Sequence, residues 1–145
     1  MSTRIFESIV SRWDDKALNV PFPGGVWLGR SPKKETWPYV VMSDLGTTSD
    51  FWTSSSEFQS TRIQLTIWYR DSIQSDPSIE IGVLMRKLND ALRFAPLVVP
   101  STEGYVLEMR PTREQTLPDD DDDRVWRSDI DYRVRRQKSV NYNPA

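Results

Sequence analysis

The sequence predicts an α+β domain: a mainly antiparallel β-sheet with two helices packed on it, in the order α-β-β-β-α-β-β. Three observations carry this. Two segments repeat apolar residues at helical spacing, and others alternate apolar and polar residues at the two-residue period of a strand. Helices and strands also fail to alternate regularly, as they would in a doubly wound α/β fold. The 145 residues are read as a single domain over 1–140 and a flexible tail at 141–145.

The first helix is marked by Ile5, Phe6, Ile9, Val10 and Trp13, which form one apolar stripe. Ser2 or Thr3 is placed to cap it, and Pro21 predicts an end by about Asn19. A turn at 21–25 then leads into a short strand, Val26-Trp27-Leu28, and a second one follows at 37–42, with Pro38 suiting its start. Residues 43–58 interrupt the pattern. They are rich in Ser, Thr, Asp and Gly but carry Phe51, Trp52 and Phe58. Two readings stand: a loop whose aromatics fold back on the domain, or a protruding loop or hairpin tip that offers them to a neighbouring subunit.

Residues 59–70 give the clearest strand. Thr61, Ile63, Leu65, Ile67 and Tyr69 point one way, and Arg62, Gln64, Thr66, Trp68 and Arg70 the other. Asp76 and Pro77 open the second helix, whose stripe is Ile81, Leu84, Met85, Leu88, Ala91 and Leu92, and Pro96 closes it. A strand is expected from Tyr105 to Arg110, then Pro111, Pro118 and five consecutive aspartates at 119–123. In the last strand, Arg124 to about Gln137, Trp126, Ser128, Ile130, Tyr132 and Val134 alternate with Arg127, Asp129, Asp131, Arg133 and Arg135.

Composition narrows the chemistry. The chain has no His and no Cys, so the commonest general base, the commonest metal ligand and every thiolate or disulfide are missing. A net charge of −2 argues against a chain built mainly to coat nucleic acid. No apolar run approaches the ~20 residues needed to span a bilayer, and the N-terminal segment lacks the apolar stretch of a signal peptide. The expectation is a cytosol-made protein without membrane contact.

The individual motifs point the same way. The aspartates at 119–123 lack the spaced ligands, Gly and closing Glu of a calcium loop, and read as a solvated turn. Pro118-Asp119 opens a restriction-type nuclease pattern, but the acid-x-Lys that should follow is absent, since Lys138 is preceded two positions earlier by Arg136. The glycines at 24, 25 and 29 have neither P-loop nor dinucleotide spacing. No catalytic residue, metal ligand or cofactor is therefore assigned. Arg133, Arg135, Arg136 and Lys138 form a basic cluster, but Asp129 and Asp131 share a strand face with Arg127, Arg133 and Arg135. That mixture favours ion pairing, within the sheet or with a neighbouring subunit, over nucleic-acid binding.

Several segments together resemble the tail-terminator or tail-completion proteins of tailed bacteriophages. They are the first helix closing on Ala17-Leu18, Gly-Gly-Val-Trp-Leu at 24–28 and Trp-Pro-Tyr-Val-Val at 37–41. The long strand at 61–70, the helix at 79–94 with Leu88-Asn89-Asp90-Ala91-Leu92, and the charged strand at 129–135 complete the set. The resemblance implies a small sheet flanked by helices, assembled as a homo-oligomeric, hexameric ring on the tail tube. Such a ring ends tube polymerisation and joins the head connector. Implied partners are the tube protein, the connector protein and other copies of the chain, with DNA passing through the lumen without specific binding. The implied location is the virion tail or neck, after synthesis in the bacterial cytoplasm. The family supplies no residue set to carry over, so the candidate interface residues come from the pattern above: Phe51, Trp52, Phe58, Arg127, Asp129, Asp131, Arg133 and Arg135.

Three alternatives remain at this point. One is another head–tail joining or minor capsid protein. The others are a small nucleic-acid-binding protein using the basic cluster at 133–138, and a carboxylate-based hydrolase with two acids facing one cleft.

Overall fold

The computed structural model describes residues 2–32, 36–52, 56–70, 77–93, 105–118 and 125–139. Its elements are α1 (Ser2–Asp15), β1 (Val26–Leu28), β2 (Tyr39–Trp52), β3 (Ser56–Arg70), α2 (Pro77–Leu92), β4 (Tyr105–Pro118) and β5 (Val125–Ser139). This is the predicted order, two helices and a five-stranded, mostly antiparallel sheet. The strands lie in the order β1-β2-β3-β5-β4, and only the short β1–β2 pair is parallel.

The core follows from the two periodicities. Ile5, Ile9 and Trp13 of α1 and Ile81, Leu84, Leu88, Ala91 and Leu92 of α2 are buried against Ile63, Leu65, Ile67 and Tyr69 of β3. Ile130, Tyr132 and Val134 of β5 complete that layer. Each large apolar side chain so buried contributes about 1.5–3 kcal/mol relative to exposure. The Tyr132 hydroxyl donates to Asn89 Oδ1 at 2.9 Å, which ties β5 to α2. Burial raises the phenol's pKa above its ordinary range, because the phenolate would lose hydration, and the nearby Glu114 charge adds to the rise.

α1 ends at Asp15, inside the limit of about Asn19 that Pro21 sets. The cause is local. Leu18 N–H donates to Trp13 O and Ala17 N–H to Asp14 O, with Ala17 at φ +51°, the pattern of a Schellman C-cap. Leu18 then folds back toward Trp13, whose indole N–H donates to Asn19 Oδ1 at 2.9 Å and whose ring meets Phe22 at 5.4 Å. The polar segment 43–58, read as a loop or as a hairpin tip, is antiparallel paired strand over its described residues. β2 continues through it to Trp52, and β3 begins at Ser56. Its polar residues hold strand geometry by pairing: the Thr47 and Thr61 hydroxyls meet at 2.9 Å, and breaks in register at Leu45 and Asp50 absorb the irregular pattern. β4 likewise runs on to Pro118, and its prolines are tolerated because β4 is an edge strand. α2 begins at Pro77 and ends at Leu92. Its expected cap Asp76 and terminator Pro96, the aspartates at 119–123 and the tail at 141–145 lie outside the described residues.

Candidate interface on the open face of the sheet

Cross-strand partners share a face, so the register sorts every sheet residue to the helix side or the open side. The helix side carries Ile63, Leu65 and Ile67 with their partners Tyr132, Ile130 and Ser128. The open side carries Arg62, Gln64, Thr66 and Trp68, opposite Arg133, Asp131, Asp129 and Arg127. The two helices lie on the first side. A 15-residue strand such as β3 is roughly 50 Å long. The 16-residue α2 covers only about 24 Å.

At one end of the open face sits an aromatic group. Tyr39 stacks on Trp68 with centroids 6.5 Å apart, and Trp37 leans on Tyr39 at 5.1 Å. Trp27 lies in the same region, because β1 pairs it with Val41, and its indole N–H donates to Gly24 O at 2.7 Å. Tyr39 is buried, but Trp37, Val41 and Trp68 are only half-covered and Trp27 is 36% exposed. Two turns hold this end in place. Gly24 N–H donates to Pro38 O, and Val40 N–H donates to Gly25 O. Gly24 approaches the backbone at Thr36 and the Cβ of Tyr39 so closely that no larger residue fits without displacement.

Beyond the aromatics lies a polar ladder between β3 and β5. Thr66 Oγ1 donates to Asp129 Oδ1 at 2.9 Å, and Gln64 Nε2 donates to Asp131 Oδ1 at 3.0 Å. Arg127 stands 3.6 Å from Asp129, and Arg133 Nε donates to Ser60 Oγ at 3.1 Å. Asp131 and Thr66 are buried. The ion pairing expected within the sheet is therefore present for Arg127 and Asp129, while Asp131 has a neutral partner in Gln64.

The sequence-predicted interface residues fall into two groups. Arg127, Asp129, Asp131, Arg133 and Arg135 share the open face, Arg135 opposite Ser60. Phe51 and Phe58 are direct cross-strand partners, and Phe58 is half-buried opposite Gln137. Trp52 pairs in register with Glu57, and the side chains of Phe51 and Trp52 lie outside the described residues. The basic cluster of 133–138 divides. Arg133 and Arg135 are on the open face, but Arg136 is on the other side, 1% exposed, donating to Gln59 Oε1 at 2.9 Å and Thr61 Oγ1 at 3.4 Å. Sequence reasoning missed Trp27, Trp37 and Arg110 as members of this surface. Trp68 carried a signal, its even position among the polar residues of 59–70. Arg110 carried none, because it joins the face only through the β4–β5 register.

Among the described residues, the helix side carries shallow hollows. One of about 390 Å³ is lined by Lys16, Leu18, Pro21, Lys87, Asp90 and Ala91. Another, of about 360 Å³, lies between α2 and β4, with Asp90 and Glu114 among its lining. Both carboxylates are exposed. Among the described residues, no group of three acidic side chains is placed to hold a metal ion. No described helix is long and apolar enough to cross a membrane.

A helix-backed sheet with an aromatic and charged open face defines a structural, surface-presenting module. A family model, tail completion protein gp17, matches residues 14–137. The chain belongs to this phage tail completion family, and it is a structural component of the tail. Among solved structures, a chain described as "Virion of native gene transfer agent (GTA) particle" has the same fold. It superposes with a TM-score of 0.74 at 13% identity, covering 94% of each chain. No curated protein matches the chain in sequence.

Proposed function

We propose that this protein is the ring subunit that closes the phage tail tube, stops its polymerisation and joins it to the head connector. The observation that carries the reading is the open sheet face of a tail-completion-family chain, where half-covered Trp27, Trp37 and Trp68 adjoin a fixed polar ladder. Tryptophans on a surface are favoured anchors in protein contacts, and a rim of ordered charges sets register between partners. The work of such a subunit is binding, not catalysis. The proposed partners are further copies in a closed ring, six in number, the tube protein and the connector, with DNA in the lumen. Synthesis would take place in the host cytoplasm before incorporation into the virion. Arg127, Asp129, Asp131, Arg133 and Arg135 belong to the interface or the lumen wall. Phe51, Trp52 and Phe58 supply a second contact at the β2–β3 end.

Light scattering coupled to size exclusion, with negative-stain imaging of the protein alone and with tail tubes, tests this. A closed cyclic oligomer, or decoration of tube ends, is the expected result. A strict monomer that never binds tube ends would refute it. A module that binds the head connector but leaves tube length unregulated would favour another head–tail joining role instead.

A further inference from the structure

The sheet has an edge on either side, and the two edges are open over the same rows. On one side β1 covers only Val40–Met42 of β2. Gly29 N–H donates to Met42 O at 2.8 Å, and there, at φ +71°, the chain leaves the sheet. Beyond that point, among the described residues, β2 has β3 on one side and no strand on the other. Asp44 to Ser49 are exposed. Gly46 N–H is taken up by Asp44 Oδ1 at 2.8 Å, so the open stretch begins at Thr47. On the far side, β4 pairs with β5 alone among the described strands.

Register connects the two edges. Reading across β2, β3, β5 and β4, Thr47 shares a row with Thr61, Val134 and Met109, and Thr48 with Ser60, Arg135 and Glu108. Ser49 shares its row with Val106, and Phe51 with Tyr105. The bulge at Asp50 on β2 has a counterpart in the bulge at Leu107 on β4, so both edges cross these rows with the same number of residues. The rows that cannot add a strand coincide as well. β1 occupies those of Val40–Met42, which on β4 are the rows of Thr116, Gln115 and Glu114, between Pro111 and Pro118.

Edge strands are normally defended by proline or by charge, lysine above all. Thr47 to Trp52 and Tyr105 to Met109 contain no proline and no basic residue, whereas the remainder of β4 carries both prolines, Arg110 and Arg113. Direction fits too. β2, β3, β5 and β4 are antiparallel in turn, so β2 and β4 run oppositely. A second copy set alongside, with its helices on the same side, brings its β4 antiparallel to β2, as in every long pair within the sheet. An open edge is completed by another extended backbone, and the matched rows fit the chain's own far edge.

We propose that Thr47–Phe51 of one copy pairs antiparallel with Tyr105–Met109 of the next, continuing the sheet from subunit to subunit. The two edges lie on opposite sides of the molecule, so the contact is head-to-tail, the kind that closes into rings. This is the contact between copies in the ring proposed above, on which it rests. The helices of every copy then lie on one side of a continuous wall, and the open faces on the other.

The chain has no cysteine, so engineered thiols report on this contact alone. Thr48 and Glu108 share a row but lie three strand spacings apart within a subunit, about 14 Å. That exceeds the roughly 7 Å limit between Cα atoms of a disulfide, so a bond between them joins two copies. The Thr48→Cys and Glu108→Cys variants are mixed, alone and on tail tubes, oxidised mildly and run on a non-reducing gel. Ser49→Cys with Val106→Cys repeats the test one row along, because wide and narrow pairs alternate in an antiparallel ladder. A linked dimer in at least one mixture, absent from each variant by itself, is the expected result. Circular dichroism melts confirm that the variants are folded. A dimer formed equally by Thr48→Cys or Ser49→Cys alone overturns the proposal in favour of a twofold β2–β2 contact. A closed oligomer in light scattering with no linked species in either mixture overturns it and leaves the ring reading standing. No oligomer, alone or on tubes, overturns both. Thr48→Lys supplies a readout without thiols: charging this exposed edge position should abolish the oligomer, while Ser11→Lys on exposed α1 should leave it intact. Equal behaviour of the two overturns the proposal.

Discussion

Substituting Gly24 by alanine tests how the aromatic end of the open face is held. A Cβ at Gly24 would overlap the carbonyl oxygen of Thr36, sit 2.6 Å from Tyr39 Cβ and 3.0 Å from Pro38 O. Two of these three neighbours are backbone atoms, so no side-chain rotation relieves the overlap. The segment at 36–39 must move outward, at the expense of the Gly24 N–H to Pro38 O bond and the β1–β2 pairing beside it. Overpacking of this kind costs about 1–3 kcal/mol and at times more, and the backbone on two sides places Gly24→Ala at about 3 kcal/mol. Gly29→Ala is the comparison. Its φ of +71° strains any L-residue, but a methyl there meets nothing within 4 Å, so the cost is about 1–2 kcal/mol. Urea denaturation followed by tryptophan fluorescence measures both, and against a typical total of about 5–15 kcal/mol each variant remains folded in water. Gly24→Ala should also alter the native emission, because Trp27 and Trp37 flank the displaced segment. A Gly24→Ala cost no larger than that of Gly29→Ala, with unchanged emission, would refute the reasoning.

Ala17→Gly should stabilise the chain by about 1 kcal/mol, because Ala17 holds the left-handed C-cap of α1 at φ +51° and glycine adopts that conformation without a Cβ penalty; a raised denaturation midpoint checks it. Tyr132→Phe should cost about 1 kcal/mol at neutral pH through the lost bond to Asn89. Since the folded phenol pKa is raised, the Tyr132 contribution to stability is intact below the ordinary value near 10 and is lost as pH rises above it. The parent should therefore lose stability at alkaline pH more steeply than Tyr132→Phe in paired urea titrations. Thr66→Val should cost about 1.5–3 kcal/mol by leaving the half-buried Asp129 carboxylate without its hydroxyl donor, read as a shifted urea midpoint at constant m-value.

Much of the fold was legible because period and burial agree. Apart from Thr61 and Ser128, the odd positions of 61–69 and the even positions of 126–134 are apolar, and the structure turns them to the helices. What the sequence hid was non-local. Residues 43–52 read as part of a loop or hairpin tip and not as continuous strand because Ser, Asp and Gly have little intrinsic preference for strands. They are strand because β3 offers them partners, which no local window contains. The open face was half legible for the same reason. Arg127 to Arg135 follow one another at alternate positions on one strand, so their common face could be read directly. Arg62, Arg110 and Trp27 come to that face from three other strands, and their neighbours depend on the register and on bulges at Leu107 and Thr112. Arg136 shows the converse failure. A run of adjacent basic residues looks like one patch, but successive strand residues point to opposite sides.

The polar ladder explains how that register is specified. A one-residue slip between β3 and β5 would turn the apolar set outward and is excluded by the core. A two-residue slip is different, because it leaves every apolar side chain facing the helices and so costs the core comparatively little. It would instead set Thr66 against Asp131 or Arg127, and Gln64 against Arg133 or Asp129, in place of their present partners Asp129 and Asp131. In the slip that sets Thr66 against Asp131 and Gln64 against Arg133, Asp129 loses its hydroxyl donor and is left an unsatisfied, half-buried carboxylate; in the opposite slip both aspartates change donors, Asp129 to Gln64 and Asp131 to Arg62. The hydrophobic pattern thus chooses the face, while the threonine and glutamine donors hold the present row against a slip in one direction. Row choice is what places Arg62 beside Arg133 and Trp68 beside Arg127, so the ladder assembles the surface before any partner arrives and lowers the ordering cost of binding.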